Sequence, residues 1–246
     1  MSSHSDIRPC ANRGSSPARG ERLRTAFENC LDLDGTLAER LSAYAAASRE
    51  ILPDYGEAVD KLVARIEENG GGRNAPALGH TMPPFVLPDE SGRLVDLEAL
   101  LANGPVAIMF HRGHWCPYCR MSVDALVRSE VELRSAGGQV VVITPERQEY
   151  AKRFKSDWSA PFPILTDLDN GYALSLGLAI WLTPDIQQLL SDRDLPGFHG
   201  NDAWMVPIPA TFVVGTDGVV TARFIDPDFR RRMDIDSLTS ALRAAP

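Results

Sequence analysis

The sequence predicts an α/β fold, a central mixed sheet with helices on both faces, entered through an N-terminal helical extension. Three observations carry this. The apolar or β-branched runs "PVAIMF" (105–110), "QVVVI" (139–143) and "FPILTD" (162–167) alternate with helical stretches, the pattern of strand–helix–strand crossovers. Toward the C-terminus "PATFVV" and "VVTARFI" flank a Gly turn at "TDG", before a closing helix from about Asp234; the sheet is therefore expected to be parallel early and antiparallel late. Finally, 246 residues with 44% hydrophobic content suffice for one large domain with an appendage and a real core.

Residues 1–20 are polar and rich in Ser, Gly, Pro and Arg, and read as a flexible tail. Residues 21–72 read as a helical extension. Tyr55, Val59, Leu62, Val63 and Ile66 line one helical face, which "NGGG" ends. Upstream, Thr36 is followed three residues later by Glu39, the spacing of a capping box. That cap matters because "LDLDGTL" (31–37) otherwise matches the Asp-x-Asp-Gly-Thr loop of haloacid-dehalogenase-type phosphotransferases. The preceding "RTAFENC" is too polar for the buried strand such a site needs, so the segment is read as a turn and a cap. "GGGRNAPALGHTMPP" links into the main domain, residues 73–246, which turns at "PDESGR" before its first long apolar run. Helices are expected through Val123, Leu126, Val127 and Leu133, over "ERQEYAKRFKSDW", and near "NGYALSLGL". The stretch from Trp181 to Val206, with His199 and Trp204, reads as long and irregular, either a binding loop or a packed decoration.

A formal charge of −8, from 33 acidic and 25 basic residues, lacks the basic footprint of a nucleic-acid binder. The short basic run "RRRM" (230–233) reads as solvated surface. No apolar stretch suits a secretory signal or a membrane helix, so the expectation is a cytoplasmic protein with neither membrane nor nucleic-acid partners.

Four cysteines in such a compartment point to catalysis or metal rather than structural disulfides. Cys10 and Cys30 stand apart, while Cys116 and Cys119 form a C-x-x-C in "FHRGHWCPYCR" (110–120). Zinc usually takes four ligands, and only one such pair exists; His111 and His114 complete a site only on paper and read as polar neighbours of a reactive loop. No cofactor or metal is expected. A thiol acts as its thiolate, so the site must lower a pKa that starts near ~8.5. Pro117 suits the first position of a helix, which puts Cys116 at the cap, facing free backbone N–H groups and the positive helix end. Cys119 then lies one turn along the same face, within reach of a disulfide. Arg112 and Arg120 bring positive charge; Trp115 reads as a shield and Tyr118 as a half-exposed contact residue.

This loop, placed after a central strand as Trp-Cys-x-x-Cys, resembles the active site of the thioredoxin superfamily. "VPIPATFVV" resembles the superfamily segment in which a cis-proline faces the cysteines; the resemblance makes Pro209 that proline and would have Ile208 offer backbone groups to a substrate. More narrowly, "GHTMPPFVLPDESGRLVDLEALLANGPVAIMFHRGHWCPYCRMSVDAL", "ITPERQEYAKRFK", "FPILTDLDNGYALSLGL" and "IDPDFRRRMDIDSL" are similar to the peroxiredoxin-like branch of the alkyl hydroperoxide reductase and thiol-specific antioxidant family. The likeness runs from about Leu78 to Leu242, and more faintly over the helical region from Thr36. It implies a thioredoxin-like domain and reduction of hydroperoxides by a cysteine, with thioredoxin or a glutathione-type thiol as reductant.

The loop departs from the family's Pro-x-x-x-Thr-x-x-Cys pattern in either register. Aligning the family cysteine with Cys119 puts Cys116 at the Thr and Arg112 at the Pro; aligning it with Cys116 puts Gly113 and Met109 there. The family's later activating Arg is not evident in "PIPATFVV", and Arg112 is the stand-in. Two mechanisms thus stay open: disulfide exchange led by Cys116, or peroxide attack by either thiol followed by condensation with the other. A zinc-binding interaction module is the third alternative. A homo-oligomer also stays open, since no assembly surface is legible in the residues.

Overall fold

The computed structural model describes residues 17–246. The tail expected over 1–20 lies largely outside them, and Pro17–Gly20 already belong to a helix. The helical extension consists of α1 (Pro17–Leu31), α2 (Leu37–Ile51) and α3 (Pro53–Glu68). Local chemistry makes both breaks. Thr36 caps α2 with the expected box, the Glu39 N–H donating to Thr36 Oγ1 at 3.2 Å and the Thr36 N–H to Glu39 Oε2 at 2.7 Å. Pro53, which has no N–H to continue α2, takes the first position of α3. "LDLDGTL" is accordingly the end of one helix, a turn and the cap of the next.

In the main domain β1 (Val86–Pro88) and β2 (Leu94–Asp96) form a hairpin, followed by α4 (Leu97–Leu101) and β3 (Val106–Phe110). After the cysteine loop come α5 (Pro117–Arg128), α6 (Glu130–Ser135), β4 (Gln139–Thr144), α7 (Gln148–Trp158), β5 (Ile164–Thr166) and α8 (Gly171–Ser175). The chain continues through β6 (Ala179–Trp181), α9 (Pro184–Leu189), α10 (Leu195–His199) and β7 (Met205–Pro207). It closes with β8 (Ala210–Val214), β9 (Val220–Ile225) and α11 (Ile235–Ala244).

The central sheet has the order β5-β4-β3-β8-β9. β3 runs parallel to β4 and β4 to β5, whereas β8 is antiparallel to β3 and to β9, the expected change of sense. β3 is buried at every position because both its faces meet core: Ala107 and Met109 face the side that holds the cysteines, Val106, Ile108 and Phe110 the other.

The 181–206 stretch differs from expectation. β6 pairs with β7, Ile180 opposite Val206, so the segment leaves and returns through a two-stranded neck and carries α9 and α10 between. Helices of five or six residues are too short for their periodicity to be read.

The N-terminal helices share one core with the cysteine side of the sheet: Phe27, Leu41, Tyr44 and Leu62 cluster with Cys116, Tyr118 and Met121. Arg40 on α2 reaches Asp124 on α5 at 2.9 Å, both side chains mostly buried, and Arg65 on α3 donates to the Trp181 carbonyl. Removing Asp124 would strand the Arg40 charge in the core. Asp124→Ala is therefore expected to cost about 3 kcal/mol, or a Tm drop of roughly 6–12 °C for a chain of this size. Thermal denaturation checks it, and an unchanged Tm would contradict the role given to this pair.

Candidate active site

The site begins where β3 ends. The His111 N–H donates to the Ile143 carbonyl at 2.9 Å, which carries the strand pairing into the loop. Gly113 then turns the chain at φ +125°, and a Cβ there would lie 2.4–2.7 Å from the Glu146 carboxylate, so no other residue fits. Glu146 holds the next residue twice: it accepts the His114 backbone N–H at 2.8 Å and sits 2.5 Å from His114 Nδ1. His114 in turn stacks on Tyr150 and meets Phe198 edge-on. The loop is thus fixed from β4's far end before it reaches the thiols.

Cys116 occupies the N-cap of α5 with Pro117 at its first position, as the sequence predicts. Cys116 and Cys119 are both free thiols, and only 1% and 0% exposed. Burial pushes the Cys116 thiol up. Hydrogen bonding from Cys119 and the charges of Arg112 and Arg232 outweigh it and bring Cys116 down to about 6. The same pairing holds Cys119 well above its ordinary value, through burial, its hydrogen bond to Cys116 and the charge there. Two donors nevertheless converge on Cys119 Sγ, the Arg112 backbone N–H at 3.3 Å and Arg232 Nη2 at 3.5 Å. The Cys119 backbone N–H, in the first turn of α5, adds to the lowering of Cys116, where the positive end of the helix favours a negative charge.

Arg112 is 1% exposed, and its guanidinium carbon lies 4.1 Å from the Phe229 ring centroid and 5.1 Å from that of Trp115. Its Nε and Nη1 have no hydrogen-bond partner. Trp115 is half-buried and lines the same cavity as Cys116.

Three expectations need correction. Tyr118 is buried rather than half-exposed, packed edge-on against Tyr44 and Phe229. Pro209 is not a cis-proline: no cis peptide bond occurs among the described residues, and the Ile208 N–H already donates to the Leu178 carbonyl at 2.8 Å, so it is not offered to a substrate. Arg120 lies over Phe27 and Trp158, with its charge coupled to Cys116. And "RRRM" is not simply surface, since Arg232 is 6% exposed and points at Cys119. Its Nη1 donates to the Phe229 and Arg231 carbonyls, which aims the guanidinium inward.

A cavity of about 220 Å³ opens beside Cys116. Arg112, Trp115 and Tyr118 line it from the loop and α5, Tyr44 and Tyr55 from the extension, and Leu189 from α9. The extension and the 181–206 excursion, which look peripheral in the sequence, are two of its walls. Among the described residues no group of three or more His, Cys, Asp and Glu side chains gathers as a metal site would require, and no helix is long and apolar enough to cross a membrane.

Residues 78–223 match the model of the AhpC/TSA family. The chain belongs to this family. Among curated AhpC/TSA relatives, the chain is 34% identical over 92 residues to the chloroplastic peroxiredoxin Q of Sedum lineare, covering 37% of this chain and 49% of that protein. It is 30% identical over 131 residues to the chloroplastic peroxiredoxin Q of Suaeda salsa, covering 53% of this chain and 55% of that one. The chain thus spans about half the length of the curated relatives it matches. The crystal structure of peroxidoxin BcpB from Mycobacterium tuberculosis superposes with a TM-score of 0.55 at 22% identity, over 69% of this chain and 97% of that one, which shows a shared fold. The AhpC/TSA match ends before Phe229 and Arg232 and begins after Tyr44 and Tyr55, so those residues complete the site from outside it.

Proposed function

We propose that this AhpC/TSA protein is a thiol-dependent peroxidase that reduces hydroperoxides through Cys116 and Cys119. One observation carries the reading: Cys116, at the N-cap of α5 and with its thiol pKa lowered to about 6, lines a cavity, and Cys119, its thiol held well above the ordinary value, lies one helical turn behind it. In the first step Cys116 Sγ attacks the terminal peroxide oxygen. The S–O bond forms as the O–O bond breaks, leaving a sulfenic acid on Cys116 and an alkoxide or hydroxide that takes a proton from water. Arg112, a buried cation without a hydrogen-bond partner on Nε or Nη1, stands where that negative charge develops.

Oxidation then reverses the electrostatics. Cys116 no longer carries charge, so the repulsion that keeps Cys119 protonated is gone, while the Arg112 N–H and Arg232 remain on its sulfur. Cys119 displaces hydroxide from the sulfenic acid as water, and the two residues are joined as a disulfide. A dithiol of the thioredoxin type, or a glutathione-type thiol, returns the pair to the reduced state by exchange. A reducing, cytoplasmic setting suits this cycle.

Exchange with large protein disulfides as the main activity is the weaker reading, because the chain matches the AhpC/TSA family model and the two curated relatives described above are peroxiredoxins. The deciding experiment mixes reduced protein with one equivalent of hydroperoxide. Loss of two titratable thiols with formation of a Cys116–Cys119 disulfide is expected; unchanged thiols, together with rapid cleavage of insulin disulfides, would overturn the proposal.

A further inference from the structure

The chamber beside Cys116 is much larger than hydrogen peroxide requires. A water-sized molecule occupies about 30 Å³ of liquid, against a cavity of about 220 Å³. The volume falls just below the roughly 300–1,000 Å³ of pockets for drug-sized ligands. It suits a compact organic molecule rather than a long acyl chain.

The lining gives the chemistry. Tyr44 and Tyr118 meet edge-on with ring centroids 5.5 Å apart, Tyr118 meets Phe229 at 5.6 Å, and Tyr55 and Leu189 close the outer side. Burial raises the phenols of Tyr44, Tyr55 and Tyr118, so these walls are uncharged at neutral pH. Among the other charged lining residues Arg19 and Arg193 equal Asp54 and Asp192 in number, so these four add no net charge. The remaining charge in the lining is Arg112, buried beside the thiolate with two nitrogens unpartnered.

From this geometry we infer that the extension makes the site selective for compact arylalkyl hydroperoxides, with Tyr44 and Tyr55 as specificity-determining residues. The inference rests on the peroxidase reading and adds the substrate class. The aryl group lies against the Tyr44, Tyr55 and Tyr118 rings, which prefer edge or offset contacts with another ring. The hydroperoxide points at Cys116, whose sulfur takes the terminal OH oxygen. The arylalkyl alkoxide leaves beside Arg112 and takes a proton from water to become the alcohol. Binding energy from the remote ring is thereby spent on orienting the O–O bond. Tyr44 and Tyr55 precede the AhpC/TSA match, so this selectivity belongs to the extension rather than to the shared domain.

The test is stopped-flow oxidation of the reduced full-length protein by hydrogen peroxide, tert-butyl hydroperoxide, cumene hydroperoxide and linoleic acid hydroperoxide, with thiols counted at the end. Cumene hydroperoxide is expected to react at least about tenfold faster than each of the others, the scale on which a shaped apolar pocket discriminates. Tyr55→Ala should lower the ratio of cumene hydroperoxide to hydrogen peroxide rate constants about tenfold, and Tyr55→Phe should retain it. Because the readout is a ratio within one variant, partial loss of folded protein does not imitate the result. Hydrogen peroxide or the lipid hydroperoxide reacting as fast as cumene hydroperoxide, or a ratio unchanged in Tyr55→Ala, overturns the selectivity while leaving the peroxidase reading intact. Failure of all four peroxides to oxidise the protein overturns the peroxidase reading itself, and the selectivity with it.

Discussion

Cys116→Ser abolishes peroxide consumption, with a fall on the order of 10³-fold or more, because a serine hydroxyl in the same seat stays protonated and cannot open the O–O bond. Cys119→Ser behaves differently. Its first step survives within a few-fold, since the serine hydroxyl can donate to Cys116 in place of the Cys119 thiol and the charges of Arg112 and Arg232 still act there. The sulfenic acid then has no partner thiol, so it persists, is trapped by dimedone, and oxidises further with excess peroxide. The protein stops after one turnover. Peroxide kinetics and intact mass on both variants read this directly. The opposite pattern, an active Cys116→Ser and a dead Cys119→Ser, would transfer the attacking role to Cys119 and match the register that places Cys116 at the family's Thr.

The second large effect is at Arg112. Arg112→Met keeps an unbranched side chain between Trp115 and Phe229 but removes the charge beside the thiolate. The peroxide rate constant is expected to fall about 10²-fold, the cost typical of losing one preorganised donor at a developing charge. Its pH profile must also move upward, because the guanidinium is one of the causes holding Cys116 down. A loss of rate with no shift of the profile would mean that Arg112 serves packing alone. Arg232→Met should act one step later, slowing condensation more than peroxide attack, since its guanidinium contacts Cys119.

What was legible in the sequence is what depends on neighbours along the chain. β3 could be read because a strand buried on both faces is an unbroken apolar run, and the Cys116 cap because Pro117 follows it directly. The Thr36–Glu39 cap is equally local. Arg232 was hidden because nothing separates it in sequence from Arg230 and Arg231, which pair with Asp228 and Asp226 outside; only the fold turns one of three like residues inward. Glu146 was hidden likewise, its role being set by a glycine and a histidine more than thirty residues earlier. Tyr55 was seen as part of a helical face, but not that this face closes a cavity. Pro209 was misread because the family likeness supplied a cis geometry that no peptide bond of the described residues adopts.

Function depends on the Cys119 hydrogen bond, two arginines and the α5 N-terminus together ionising one buried sulfur at neutral pH. The measurement is the rate of iodoacetamide alkylation at Cys116 in the reduced wild-type protein from pH 4 to 10, followed on the Cys116 peptide by mass spectrometry. The account predicts a rate that is half-maximal at about pH 6 and flat through neutrality. A midpoint at about 8.5, that of free cysteine, would contradict it.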